Sequence, residues 1–218
     1  MKKLTLTIII ASLFLIEGRA QSKWYSTTGG ETILSLNAFS DPTNESTVVR
    51  FAPVFNFQSL MNNDISESFG IYTGFSMRNV GFIADDPSDA ATRRKFRTYN
   101  AAIPLGVKLG NLDGAFIYAG FDAEYAFNFK EKTFVNGDKT GKKTYWFTSR
   151  VQQWQPSAHV GFQFLKGTNI KFKYYFNTFF NPDRTDVYAT EYERFDGNIF
   201  YVSFNSNLFY NTKFYYNP

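Results

Sequence analysis

Residues 99–110 read YNAAIPLGVKLG, and residues 115–128 read AFIYAGFDAEYAFN. In the first stretch Tyr99, Ala101, Ile103, Leu105, Val107 and Leu109 fall on one side of a two-residue alternation. Asn100, Ala102, Pro104, Gly106, Lys108 and Gly110 fall on the other. In the second, Ile117, Ala119, Phe121, Ala123, Tyr125 and Phe127 oppose Tyr118, Gly120, Asp122, Glu124 and Asn128. Successive side chains of a strand point to opposite faces, so this period marks two strands. Between them, Asn111-Leu112-Asp113-Gly114 supplies turn-forming residue types. The pair is a hairpin with one apolar face and one face that mixes glycine with charge.

The alternation recurs on both sides of this hairpin. Upstream it occupies Thr32–Phe39, Val49–Gln58 and Phe69–Arg78; downstream it occupies Ser157–Phe164, Ile170–Asn177 and Phe200–Leu208. The total is eight segments. The connections after the third, fifth and seventh are long (84–98, 130–153, 181–197). Those after the fourth and sixth are short (111–114, 166–169), and the one after the second is moderate (59–68). Only 40–46 is short on the long side. Membrane barrels join their strands by short periplasmic turns and longer external loops. This parity is independent of the residue alternation, and a soluble sandwich has no cause to gather its long loops at one end. The sequence thus predicts an all-β fold: an eight-stranded antiparallel transmembrane up-and-down β-barrel, one domain over residues 21–218, with both termini periplasmic. Glycines on the polar faces suit a narrow lumen filled by side chains. Pro104 has no amide hydrogen to give, so a bulge or a break in the ladder is expected there.

Composition agrees. Aromatic residues make up 20% of the chain, with 26 Phe and 14 Tyr, types that favour strands. Mean hydropathy is −0.30 although 44% of residues are hydrophobic; a barrel wall needs only every second residue to be apolar. Residues 1–20 read as a cleaved secretory signal peptide. Lys2 and Lys3 start it, Leu4 to Ile16 is apolar, and Gly18 and Ala20 are small residues at the −3 and −1 positions. That apolar run is shorter than the ~20 residues a membrane-spanning helix needs. With no Cys and one His, no disulfide framework, metal site or other cofactor is expected. The net charge is +4; without the three cations Lys2, Lys3 and Arg19 and the one anion Glu17 of the leader it is +2, too small to argue for nucleic acid as a partner.

The runs RFAPVFNF (50–57), SESFGIYTGFSMRNVGFI (66–83) and AAIPLGVKLG (101–110) resemble small outer-membrane β-barrel proteins of the Bacteroidota, the loosely defined PorT-like group. The resemblance covers residues 48–127 in sequence and the remainder in architecture. It implies a cell outer-membrane location. Some relatives accompany the type IX secretion system or other outer-membrane assemblies, and no catalytic residue carries over.

Two sets of residues are candidates for function. Arg50, Arg78, Lys108, Asp122, Glu124, Lys171 and Lys173 share the lumen-facing parity. They are expected to form an ion-pair network that plugs the barrel, with Asp122 paired to Arg78 or Lys108, because buried charges need partners. The other set is basic: Arg93, Arg94, Lys95 and Arg97 in one long loop, then Lys130, Lys132, Lys139, Lys142 and Lys143 in the next. These suit lipopolysaccharide phosphates or an acidic partner. The mixed charges of 181–197 suit contact with a neighbouring protein. The expected function is non-enzymatic, a structural or interaction subunit whose partners are outer-membrane lipid, lipopolysaccharide and other outer-membrane proteins, as in a secretion or assembly machine. Two alternatives stand beside it: a lipid-A-modifying enzyme using His159 with Ser157, and a narrow pore or ligand-binding barrel.

Overall fold

Strands form where the alternation places them, and several run well past it. The computed structural model describes residues 23–39, 47–165, 167–184 and 189–215; the leader at 1–20 and the connection at 40–46 lie outside the described residues. The strands are β1 (Lys23–Phe39), β2 (Thr47–Val48), β3 (Arg50–Ala52), β4 (Phe57–Asp64), β5 (Phe69–Asp86), β6 (Asp89–Gly110), β7 (Phe116–Val135), β8 (Asp138–Trp146), β9 (Ser157–Leu165), β10 (Thr168–Thr178) and β11 (Gly197–Tyr215). A short helix, α1 (Ala189–Glu193), precedes the last strand. Eight of the strands close a ring in the order β1-β4-β5-β6-β7-β9-β10-β11, every neighbouring pair antiparallel. β11 returns to β1 along its whole length, from Lys23↔Tyr215 to Phe39↔Gly197. Closure leaves the ring itself without an open edge, while β2 and β8 lie off it, paired with β5 and β7.

The two faces of the wall are inverted relative to a water-soluble protein. Leu105 is 65% exposed and Phe121 66%, while Arg78 and Asp122 are each 2% exposed and Lys173 is fully buried. Phe75, Ile103, Phe162, Phe172 and Phe204 continue the apolar belt around the outside. A contiguous apolar surface of this extent exceeds what soluble monomers carry.

Hydrophobic alternation stops before the strands do. β5, β6 and β7 have 18, 22 and 20 residues, whereas crossing a bilayer takes about 9–11 tilted residues. Their upper halves project beyond the belt. Connections 84–98 and 130–153 are therefore mostly strand and not loop. The first closes at Pro87-Ser88, the second at Asn136-Gly137, whose φ angles of 51° and 88° fit a tight hairpin turn. Connection 59–68 likewise shrinks to a turn at 65–68, which sharpens the contrast between the two ends. Trp24 and Tyr25, outside the alternating run, belong to β1.

The second segment is also not one strand. β2 pairs with β5, β3 pairs with β1, and the chain breaks after Ala52 at Pro53, with Phe55 at φ 62°. Asn56 stitches the break: its Nδ2 donates to Ala52 O at 2.7 Å and its Oδ1 accepts the Asn79 amide at 2.7 Å. Parity survives nonetheless, with Phe51 and Phe55 outward and Arg50, Ala52 and Asn56 buried. Pro104 acts on one side only. Its ladder with β7 is continuous, while pairing with β5 lapses between Thr73↔Leu105 and Ser76↔Ala102.

The apolar core sits inside the projecting end, above the charged middle of the lumen. Phe82, Phe96, Phe129, Phe179, Phe180 and Phe195 fill it. Phe96 meets Phe82, Phe180 and Phe195 at 5.2 Å each, and Tyr192 from α1 stacks on Phe180 at 4.7 Å. The connection containing α1 folds back onto its own barrel. Glu191 pairs with Arg94 at 2.6 Å, Arg194 with Asp86 at 3.1 Å, and the Tyr192 hydroxyl donates to Glu131 at 2.8 Å. Burial, with Glu131 beside it, pushes the Tyr192 phenol well above its ordinary pKa, so it remains a donor.

Candidate functional site

Beneath the aromatic seal, six strands contribute to one cluster built around charge. Arg78 on β5 is its centre: Nε lies 3.3 Å from Glu31 on β1, and Nη1 lies 3.2 Å from Asp122 and 3.0 Å from Glu124 on β7. On β10, Lys173 pairs with Asp122 at 2.9 Å and with Glu124, and Lys171 reaches Glu31 at 3.0 Å. Tyr175 and Asn100 donate to the second oxygen of Glu124 at 2.9 and 3.0 Å. On β9, His159 Nδ1 lies 2.6 Å from Asp122, and its Nε2 meets the Tyr72 hydroxyl. A neutral ring with Nδ1–H donating to the carboxylate leaves Nε2 to accept from Tyr72. Arg78, Lys171 and Lys173 balance Glu31, Asp122 and Glu124.

Of the seven residues predicted for this network, Arg78, Asp122, Glu124, Lys171 and Lys173 come together. Lys108 forms a separate group nearer the turns, with Asp64 at 2.5 Å, the Tyr25 hydroxyl at 2.9 Å and Asn62 at 3.2 Å. Arg50 stands apart as well. It donates to the Asn79 carbonyl at 3.0 Å and to the Asn79 side chain, with no carboxylate in ion-pair range among the described residues. Arg50 lies opposite Ser35 on β1, four residues up the strand from Glu31, and so above the central charges. Sequence reading missed Glu31, although one further step of the Ser35, Ile33 alternation reaches it. Ser157 does not join His159: its hydroxyl is buried without a hydrogen-bond partner.

Below the cluster, a cavity of about 540 Å³ opens between the short turns. Tyr25, Tyr72, Phe116, Tyr118 and Leu60 form its walls, and Arg78, His159 and Lys171 stop its inner end.

No protein-family profile and no curated protein matches the chain. Among solved structures, the chain is similar to Ail, the attachment invasion locus protein of Yersinia pestis. That protein is known alone (11% identity, TM-score 0.38) and in complex with the heparin analogue sucrose octasulfate (9%, 0.39); each alignment covers 89% of this chain and 99% of Ail. It is similar also to CarO of Acinetobacter baumannii, at 11% identity and TM-score 0.38, over 83% of this chain and 97% of CarO.

The projecting sheet carries the second candidate site. Because its basic residues lie on strands, the pleat sorts them. Arg94 turns inward to Glu131 at 3.2 Å and to Asp86 and Glu191, and Lys143 turns toward Glu131 at 3.9 Å. Both therefore leave the basic surface predicted for them. Arg93, Lys95 and Arg97 on β6, Lys130 and Lys132 on β7, and Lys139 and Lys142 on β8 share the opposite, outward parity. Arg97 faces Lys130 directly, and Lys95, Lys132 and Lys142 stand in one row across three strands. Among the described residues only Arg93 has a carboxylate there, Asp85 at 2.6 Å. Partial loss of water, with Arg97 and the other cations close by, holds the Lys95, Lys130 and Lys132 ammonium groups below their usual pKa. Like charges directly opposite each other are destabilising; this face lacks its counter-charge. Trp146, Phe147 and Trp154 are exposed near the same end, where aromatic side chains suit a membrane boundary.

Proposed function

We propose that the protein spans the outer membrane of a Gram-negative bacterium. There it serves as a non-enzymatic structural or interaction subunit that presents the projecting sheet to anionic phosphates of lipopolysaccharide at the leaflet surface. The carrying observation is the row of cations on the outward face of β6–β8, just beyond the apolar belt, with Lys95, Arg97, Lys130 and Lys132 lacking a carboxylate partner among the described residues. A phosphate layer at that height supplies the missing counter-charge, worth about 1 kcal/mol per basic residue. Membership of a larger assembly, such as a secretion or assembly machine, fits the same sheet, since β5–β8 offer a broad platform outside the bilayer.

Replacing Lys95, Arg97, Lys130 and Lys132 together by Gln removes the core of this row. Binding of the detergent-solubilised barrel to lipopolysaccharide vesicles is expected to fall by about two orders of magnitude or more, with a weaker dependence on salt. Thermal stability should hold or rise as the like charges are removed. Undiminished binding would contradict the reading. The pore alternative is opposed by the aromatic seal, because no water path is provided where Phe82, Phe96, Phe129 and Phe180 interlock. Reconstituted into planar bilayers, the protein is expected to stay silent; steady unitary currents would reinstate the pore.

A further inference from the structure

The blind cavity between the short turns takes no part in the function proposed above. We propose that it is a binding site for a neutral saccharide that enters from the turn side of the barrel.

Three observations converge on it. Gln58 and Gln163 line the cavity, are each only 7% exposed, and make no side-chain hydrogen bond among the described residues. Their carboxamides open onto the cavity, so both donors and acceptors are free for a molecule that enters it. The tyrosine walls, moreover, are laid back by glycine. A Cβ at Gly106 would come 2.3 Å from the Tyr72 hydroxyl, and one at Gly161 would come 2.1 Å from Cζ of Tyr118. Any larger residue would press those rings into the space, so the glycines keep it open. Finally, the cations at the cavity are already neutralised: Lys23 by Asp113, Lys108 by Asp64, Lys171 by Glu31, and Arg78 by three carboxylates.

Together these select a ligand class. An anion would have to displace existing ion pairs. An acyl chain would leave Gln58 and Gln163 unpaired in a dry site, at the full cost of desolvating them. A neutral saccharide meets both demands, its hydroxyls bonding the carboxamides and its C–H faces lying on Tyr72 and Tyr118. The volume falls within the ~300–1,000 Å³ range of small-ligand sites.

Saturation-transfer NMR on the purified full-length mature barrel, in a detergent without a sugar headgroup, tests this. The probes are maltose, N,N′-diacetylchitobiose, glucose 6-phosphate and a glycyl dipeptide. Transfer to at least one of the two neutral disaccharides is expected. Gln163→Leu should weaken it about tenfold, the effect of one lost hydrogen bond. Gly161→Ala should do the same by tilting Tyr118 inward; Gln58→Leu replaces it should that variant fail to fold. The Gln variants at the basic face should bind saccharide normally, which separates this site from the external one. Transfer only to the dipeptide or the phosphorylated sugar, transfer to none of the probes, or a signal indifferent to Gln163→Leu would overturn the assignment.

Discussion

Arg78→Met is expected to destabilise the barrel by about 3–5 kcal/mol, the range for removing one partner of a buried ion pair. Three carboxylates converge on this guanidinium: Glu31, Asp122 and Glu124. Lys173 still touches Asp122 and Glu124, and Lys171 still touches Glu31. They cannot satisfy all three acids alone, and the methionine thioether donates nothing. Urea unfolding in micelles, followed by the loss of the fast-migrating folded band, reads the effect. Asp122→Asn should cost less, because Arg78 and Lys173 keep Glu124, but it should still lower heat resistance. Combined with Arg78→Met it should add less than its own cost, since the two share one network. An Arg78→Met barrel with unchanged midpoint would mean that the central charges do not hold the lumen together.

Phe96→Ala is the second large effect, at about 3–5 kcal/mol for a buried aromatic replaced by alanine. Its ring touches Phe82, Phe180, Phe195 and Tyr192, so the void cannot be filled by one neighbour's rotation. The same unfolding measurement applies. A loss under about 1 kcal/mol, the size of an ordinary surface substitution, would show that the seal is loosely packed. Because the seal also holds α1 through Tyr192, limited proteolysis should cut near Tyr192 sooner in Phe96→Ala than in the wild type.

The barrel was legible because one physical rule governs every wall residue: lipid-side positions are apolar and lumen-side positions are not. Leu105 against Lys108, or Phe121 against Asp122, carries that rule without ambiguity. It loses its force where the wall leaves the bilayer. From Lys95 to Arg93 the outward face is cationic, so the strand no longer alternates in hydrophobicity even though its ladder continues to Asp89. Extent was therefore underread and parity was not. The central cluster was legible for the same reason, since Asp122, Glu124, Lys171 and Lys173 follow the pleat. Partner choice was not, because register decides which cation meets which acid. Arg50 shares the parity of Arg78, yet its place opposite Ser35, above the acids, leaves it to Asn79. Nor did the sequence show the aromatic seal. Phe82 and Phe96 lie on the inward parity above the belt, where an apolar residue contradicts the rule that defines the wall below.

Site-directed spin labelling of β6 tests the central claim most directly, and a chain with no native Cys accepts single cysteines cleanly. Nitroxides placed one at a time at Ala101, Ala102, Ile103, Leu105, Val107 and Leu109 in lipid vesicles should alternate. Labels at Ala101, Ile103, Leu105, Val107 and Leu109 should be open to dissolved oxygen and closed to a water-soluble nickel chelate. The one at Ala102 should be shielded from oxygen. If the labels at Ile103 and Leu105 are instead freely relaxed by the aqueous chelate, the apolar face does not meet acyl chains, and the membrane-spanning barrel is wrong.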